Sequence, residues 1–184
     1  MHPIRYNMLK ELANRIEQLR TKELVRIISE IFDEHRYLLV ELQKDQLYAG
    51  RNAKDRELNP TYYNDPYFKT PAAAARYAKW KSSLNVRTHN PIFPQKQYET
   101  PNLIITGTLI YDTIFAKVSN GILEMSANSS ILSELEQKYD EPFGLGKTAF
   151  EEFVRQTDMI EKVKQKVKKY LWSLLLMNLF PMLK

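Results

Sequence analysis

Residues 103–125, LIITGTLIYDTIFAKVSNGILEM, carry the clearest structural signal in this chain. Asn120 and Gly121 stand between two apolar, β-prone runs, and both tolerate the positive φ angle that a type I′ turn requires. The sequence therefore predicts a tight antiparallel hairpin here. Upstream, hydroxyls and a glycine at residues 106–108 interrupt the apolar run. Residues 109–113 are accordingly predicted either as a helical turn or as part of the strand.

The composition is that of an ordinary globular protein, with 184 residues, of which 43% are hydrophobic and 27% are charged. The absence of cysteine excludes disulfides, zinc sites built on cysteine and a thiol nucleophile. The N-terminal segment, MHPIRYNMLKELANRIEQLR, is charged throughout and does not have the pattern of a secretion signal. We therefore expect a protein that is not exported and that folds by packing or by assembly.

Apolar residues recur at helical spacing from Ile4 onward, and neither glycine nor proline interrupts the pattern before Gly50. This predicts one long helix over residues 4–46, or two helices that break near Thr21, whose hydroxyl can cap the second. A further helix is predicted over residues 71–84, where proline opens an alanine-rich segment.

The C-terminal part is also predicted to be helical. A short helix fits residues 131–139, and a long one fits residues 148–178. Thr148 and Glu151 have the spacing of a capping box at the start of the long helix.

Residues 48–70 and 85–101 are rich in prolines and turn residues, which predicts a loop and a long connector. The expected fold class is α+β, with long N- and C-terminal helices packed on a small antiparallel sheet and with long irregular loops. We expect a single domain over residues 1–170, with its sheet core at 103–126, followed by an apolar tail at 171–184.

The net charge of +5 is concentrated in one segment. Without five lysines of the last helix, the chain carries 22 basic and 22 acidic residues. This concentration predicts one local positive patch, which contacts either DNA phosphates or the acidic groups of a protein partner. Its members are Lys162, Lys164, Lys166, Lys168 and Lys169.

The loop at residues 48–70 interleaves aromatic and basic side chains. Two interpretations are open: the rings stack on single-stranded bases, or they anchor the loop to the protein surface. The aromatic residues are Tyr48, Tyr62, Tyr63, Tyr67 and Phe68, and the basic ones are Arg51, Lys54 and Arg56.

The tail contains ten largely apolar residues before Pro181, whereas a helix that spans a bilayer needs about twenty. It can lie in a membrane interface or cover the hydrophobic groove of a neighbouring protein. Apolar residues surround this helix on all sides, so burial against protein is favoured and a membrane partner is not expected. The candidate interface residues are Leu171, Trp172, Leu175, Met177 and Phe180.

Residues 144–148, GLGKT, resemble the end of a phosphate-binding loop, but Glu141 stands where that motif requires its first glycine. The histidines, His2, His35 and His89, have no metal-ligand spacing. A nucleophile motif and an acidic metal cluster are also missing from the sequence. The sequence therefore predicts no catalytic residue, no cofactor and no metal site.

Several short motifs follow one another in a recognisable order. They are D-Q-L-Y-x-G at residues 45–50, L-x-x-T-G-x-L at residues 103–109 and F-G-L at residues 143–145, between long helices. In this order the chain resembles the small neck and tail-completion proteins of tailed bacteriophages. It is most similar to those of crAss-like and other Bacteroidetes phages, over residues 45–169.

The resemblance implies a structural virion protein without enzymatic activity, in the head–tail connector ring between portal and tail. Implied partners are its own copies in a hexameric or dodecameric ring, portal, adaptor or tail proteins, and transiting DNA contacted without base specificity. The implied location is the neck or tail region of the virion, after synthesis in the bacterial cytoplasm. It also implies a helical turn at residues 108–113 and a first hairpin strand at residues 114–118. The alternative function is a nucleic-acid-binding module that uses Lys162–Lys169 and the tyrosine-rich loop.

Overall fold

The computed structural model describes residues 14, 17–18, 22–84, 86–103 and 113–179, with backbone alone from residue 174 onward. The described parts form helices and a two-stranded antiparallel sheet, so the fold is α+β. In chain order the elements are α1 (Leu24–Glu34), α2 (Arg36–Tyr48), α3 (Pro71–Ser83), β1 (Ile114–Ser119), β2 (Ile122–Ala127), α4 (Leu132–Lys138), α5 (Lys147–Gln156) and α6 (Met159–Leu179).

The chain groups into two compact units. The first contains residues up to 35, the hairpin tip at 118–123 and residues from 156 onward. The second contains residues 36–117 and 124–155. The chain segments of the two units alternate along the sequence.

In the first unit, α1 packs against α6. Ile27, Ile31 and Phe32 form the buried face of α1, as the helical spacing of its apolar residues requires. The hairpin tip is attached to the same helix, because the Gly121 N–H donates a 2.9 Å hydrogen bond to Ser29 Oγ.

The hairpin has the turn that its sequence predicts. Asn120 and Gly121 adopt φ angles of +51° and +76°, as a type I′ turn requires, and join β1 to β2. The first strand, predicted at residues 114–118, extends one residue further to Ser119. The proposed helical turn at 108–113 lies almost entirely outside the described residues.

The long N-terminal helix predicted over residues 4–46 is not confirmed. Helix α1 ends at Glu34, and α2 begins at Arg36. His35 leaves the helical region with φ −116° and ψ 24°. Apolar side chains keep the same spacing on both sides of this residue, which is why the pattern does not reveal the break. Thr21, the break predicted from sequence, lies outside the described residues.

The prediction of one continuous helix over residues 148–178 is wrong. It is divided into α5 and α6 at residues 157–158, where Asp158 has a φ angle of +49°. The predicted capping box is also wrong, because Thr148 lies inside the helix and its N–H donates to Asp55 Oδ2 at 2.8 Å. A carboxylate distant in sequence thus replaces the local cap.

Other local predictions agree with the structure. The helix expected at residues 71–84 is observed as α3, and the Thr70 side chain caps it by accepting from the Ala73 N–H. The short helix expected at 131–139 is observed as α4. The loop at 48–70 contains only an isolated bridge between Arg51 and Glu57 beyond the end of α2.

Two buried glutamines of α2, Gln43 and Gln46, hold the segment that precedes α5. Gln43 donates to Pro142 O at 3.3 Å and accepts from Gly144 N at 2.8 Å. Gln46 donates to Gly144 O at 2.8 Å and accepts from Gly146 N at 2.7 Å. Both ends of each side-chain amide are therefore satisfied, as burial of an amide requires. We call these four hydrogen bonds the glutamine clamp.

Gln46→Leu is expected to lower the free energy of unfolding by about 2–4 kcal/mol, because the buried Gly146 N–H and the Gly144 carbonyl lose their partners. Urea denaturation measures this loss. Gln137→Leu makes the same change at an exposed position of α4 and serves as the control. Equal unfolding midpoints for the two variants would show that the clamp does not stabilise the fold.

Gly121→Val is expected to lower the free energy of unfolding by about 2 kcal/mol, because a β-branched residue resists the positive φ of this turn. A Cβ at this position would also lie 3.0 Å from Val25 Cγ1. Gly121→Asn, which tolerates the same φ, should lose less. Thermal unfolding compares the two variants, and an unchanged melting temperature in the valine variant would contradict a type I′ turn here.

Candidate functional site

The second unit contains a pocket of about 440 Å³ with aromatic walls. Its rings come from the tyrosine-rich loop, from α3 and from the end of α4. They belong to Tyr62, Tyr67, Phe68, Tyr77, Trp80 and Tyr139. These residues lie far apart in sequence, so the pocket exists only in the folded chain.

Helix α3 positions one side of this pocket. Ala74 and Ala78 are buried small residues that pack against Tyr62, and Tyr77 joins the same cluster. The rings of Tyr62 and Tyr77 meet edge to face at 5.1 Å, a favoured arrangement of aromatic pairs. Trp80 follows one turn after Tyr77, with their ring centres 5.3 Å apart.

The aromatic residues of the loop divide into two groups. Tyr62 is 5% exposed and anchors the loop, as one of the two interpretations of this segment expects. Tyr67 is 78% exposed, and Trp80 of α3 is 46% exposed. The pocket therefore has a buried aromatic floor and an open aromatic rim.

Lys81 is the unusual residue of the pocket. It is 5% exposed, and its Nζ has no hydrogen-bond partner among the described residues. Burial, together with the nearby charge of Lys96, lowers the pKa of Lys81 to about 8. An ammonium group in this position is costly unless a counter-charge reaches it.

The pocket's own carboxylate is already engaged. Asp65 is buried and forms an ion pair with Lys138, the last residue of α4. The phenols do not supply a charge either, because burial raises the pKa values of Tyr62 and Tyr139 well above the ordinary value. Lys81 thus faces neutral rings and a carboxylate that another lysine holds.

Two lysines of the cluster predicted from sequence contact α1 or the residue that follows it. Lys166 Nζ lies 3.0 Å from Glu30 Oε2 and 3.1 Å from Glu34 Oε1, and these hydrogen bonds raise its pKa. Lys162 Nζ lies 2.7 Å from His35 Nε2. The remaining members, Lys164, Lys168 and Lys169, are exposed.

The tail residues are only partly described. Leu171 and Trp172 are 41% and 56% exposed, and with Lys164 and Lys168 they border a shallow depression of about 320 Å³. The backbone of α6 includes Leu175 and Met177, whose side chains are outside the description, as is the whole of Phe180. Among the described helices, none is long and apolar enough to span a membrane.

The segment that resembles a phosphate-binding loop is occupied by the chain's own side chains. The Gly144 and Gly146 amides donate to the glutamine clamp, and the Thr148 amide donates to Asp55. A Cβ added to Gly146 would lie 2.4 Å from Asp55 Oδ1, so this position has no room for a side chain. Phosphate would have to displace a carboxylate here. In the described part of the chain, His, Asp and Glu residues form no group that could hold a metal ion.

The sequence analysis missed the combination of Lys81, Asp65 and Lys138. Its only local signal is the placement of Lys81 one turn after Tyr77, on the face of α3 that carries the aromatic side chains. No protein-family model, curated protein or solved structure matches this chain.

Lys81→Met is expected to raise the free energy of unfolding at about pH 7 by about 1–3 kcal/mol, because it replaces a buried, unpaired ammonium. Both the folded and the unfolded chain hold the lysine proton at this pH. Between about 8 and 10.5 the folded lysine releases its proton while the unfolded chain retains its own, so wild-type stability rises and the gain shrinks.

Urea denaturation of both proteins at about pH 7 and about pH 9.5 measures this change. Subtracting the free energies of unfolding of the two proteins at each pH removes the contribution of tyrosine ionisation, because both proteins contain the same tyrosines. Lys79→Met, at an exposed position of the same helix, is the control and should show no such dependence. A gain from Lys81→Met that stays constant with pH would show that Lys81 is paired or hydrated.

Proposed function

We propose that this chain is a structural protein of a tailed-bacteriophage virion, part of the neck or head–tail connector ring between portal and tail. The observation that supports this most directly is a contact between two motifs of the family resemblance. Gln46, of the motif at residues 45–50, holds Gly144, of the motif at residues 143–145, with a 2.8 Å hydrogen bond. The two motifs therefore act together in the scaffold of one unit.

The chemistry of these motifs suits a scaffold. Asp45 forms an ion pair with Arg87 at 2.5 Å, and Asn90 donates to its second oxygen at 2.8 Å. The first motif thus also attaches the connector at 85–101 to α2. The polar side chains of Asp45 and Gln46 thus join distant segments of the chain. Such contacts give a rigid scaffold, which suits a structural subunit of an assembly.

The exposed apolar surface also supports the proposal. A subunit of a ring contacts a neighbour on each side through different surfaces and stacks on other components, so it needs several such surfaces. Both units expose large apolar side chains. They include Tyr37, Tyr67 and Trp80 in the second unit, and Ile122, Ile160, Leu171 and Trp172 in the first.

The proposed partners follow from this role. They are other copies of the chain in a hexameric or dodecameric ring, and portal, adaptor or tail proteins. The exposed lysines of α6 contact acidic groups of a partner or the phosphates of transiting DNA, without base recognition. The proposed location is the virion neck or tail region, after synthesis in the bacterial cytoplasm.

A nucleic-acid-binding module is the second candidate, favoured by the exposed ring of Tyr67 beside Lys69 and Arg76. Two observations weaken it: Lys166 is held by glutamates, and Tyr62 is buried. Electrophoretic retardation of single- and double-stranded DNA at about 50 mM and about 200 mM salt tests this candidate, because phosphate binding weakens steeply with salt. A nucleic-acid-binding module should lose its retardation when Tyr67 is replaced by Ser, whereas contact through the lysines of α6 should not depend on Tyr67.

Removal of residues 171–184 is expected to leave thermal unfolding nearly unchanged while reducing incorporation of the chain into phage particles. Exposed apolar residues, including Leu171 and Trp172, are lost with this segment. Mass spectrometry of purified particles measures incorporation, and a reconstruction of the neck locates the chain. Lys147→Ser, at an exposed position outside this segment, is the control and should leave incorporation unchanged.

Two outcomes would contradict these expectations. Absence of the intact chain from particles of the phage whose genome encodes it would refute the proposed function. Failure of the truncated chain to fold would show that the tail belongs to the core of the protein rather than to an interface.

A further inference from the structure

We propose that the aromatic pocket around Lys81 receives a carboxylate side chain from an acidic, apolar segment of a partner protein. This inference rests on the proposed structural role, because it names the chemistry of a partner in the assembly. It concerns a surface in the second unit alone.

The described lining of the pocket has no free counter-charge for Lys81. Lys81 is buried, and its Nζ has no hydrogen-bond partner among the described residues. Asp65 is the one carboxylate among the described residues that line the pocket, and Lys138 already pairs with it. Lys96 adds a second positive charge nearby and donates to the Thr100 carbonyl at 3.2 Å. An incoming carboxylate would therefore satisfy a buried donor that the described residues leave without a partner, once the flexible Lys81 side chain turns toward the pocket.

The walls of the pocket are mostly aromatic and aliphatic. Rings of Tyr62, Tyr77 and Tyr139 and the aliphatic side chain of Leu135 surround the pocket. Its volume of about 440 Å³ lies within the range of sites that take a compact organic group. Such walls suit an apolar body next to the carboxylate and disfavour a strongly hydrated anion such as a phosphodiester.

The aromatic surface extends beyond the pocket, which favours a protein segment over a free small molecule. Tyr67, Phe68, Tyr77 and Trp80 line the pocket and also a second, open depression of about 690 Å³. Lys69 and Arg76 line that depression. The aromatic wall therefore has cationic groups in both depressions, over a surface larger than one small molecule would cover.

The charged residues of this surface indicate which residues a bound segment carries. The described lining of the two depressions contains four cationic residues, Lys81 and Lys138 in the pocket and Lys69 and Arg76 in the open depression, and one carboxylate, Asp65. A complementary segment carries one acidic residue for Lys81, an apolar or aromatic residue for the wall, and further acidic residues for the outer cations. It binds in an extended form, as a short acidic and apolar stretch of a partner.

A random-peptide display library, selected on the full chain, tests this inference. We expect enrichment of peptides that carry Asp or Glu within two residues of an aromatic residue or leucine. Binding of an enriched synthetic peptide, followed by the fluorescence of Trp80 in a chain whose other tryptophan is removed by Trp172→Phe, should weaken about tenfold or more with Lys81→Met. Lys79→Met on the exposed face of α3 should change it less than about twofold.

A double-mutant cycle locates the carboxylate. Replacing the acidic residue of the peptide with its amide should weaken binding to the wild-type chain but not to the Lys81→Met variant. Circular dichroism checks that both lysine variants are folded. Equal losses against both chains would show that the acidic residue contacts something other than Lys81, and would overturn the assignment.

Other outcomes also overturn the proposal. They are the absence of enrichment, enrichment of peptides without acidic residues, and binding that Lys81→Met leaves unchanged. Lys81-dependent binding of free 3-phenylpropionate without peptide enrichment would identify a small-molecule site instead. Lys81-dependent retardation of an oligonucleotide would identify a nucleic-acid site.

Particle incorporation separates this inference from the proposed function. A chain that is built into particles but selects no acidic peptide refutes the pocket inference alone. A chain that selects acidic peptides through Lys81 but is absent from particles refutes the virion role alone.

Discussion

The glutamine clamp is the interaction on which the second unit depends. Gln43 and Gln46 lie one turn apart on α2 and are both fully buried. A buried side-chain amide destabilises a fold unless both its donor and its acceptor are used, and here the segment at 142–146 uses them. Residues 142–146, which have no regular secondary structure, are therefore held by four hydrogen bonds with two side chains. Helix α5 begins where the clamp ends, and the Asp55 carboxylate completes its start.

The candidate site depends on the same attachment. Asp140, which precedes the segment held by the glutamine clamp, is also attached to the loop after α2. Asn52 donates to its carbonyl at 2.9 Å, and Lys54 pairs with its side chain at 3.0 Å. Tyr139 and Lys138 come directly before these contacts and form part of the pocket wall. The contacts of Asp140 therefore help to position Lys138 and Tyr139 in the pocket wall. Polar contacts thus hold the residues next to this wall, while most of the described lining is aromatic or aliphatic.

The features that sequence predicted correctly are those with local causes. The turn at Asn120 and Gly121 and the proline that opens α3 act through their own backbone, so their patterns suffice. The helix breaks at His35 and Asp158 have no such signal, because neither glycine nor proline marks them. The start of α5 was placed at a local cap because a carboxylate almost a hundred residues away cannot be recognised from spacing. The pocket was missed for the same reason, since it joins residues from Tyr62 to Tyr139.

The lysines show why charge in a sequence is a weaker guide than charge in a structure. The cluster on α6 is conspicuous, yet Lys166 finds two glutamates on α1 within 3.1 Å. Its charge is largely balanced within the chain. Lys81 has an ordinary place in an alanine-rich helix, and the described residues around its pocket supply rings and one carboxylate, which Lys138 already holds. A charge that glutamates balance has less left to offer a partner than a buried charge for which the described residues provide no partner. Lys81, rather than the cluster on α6, is therefore the lysine that we propose contacts a partner.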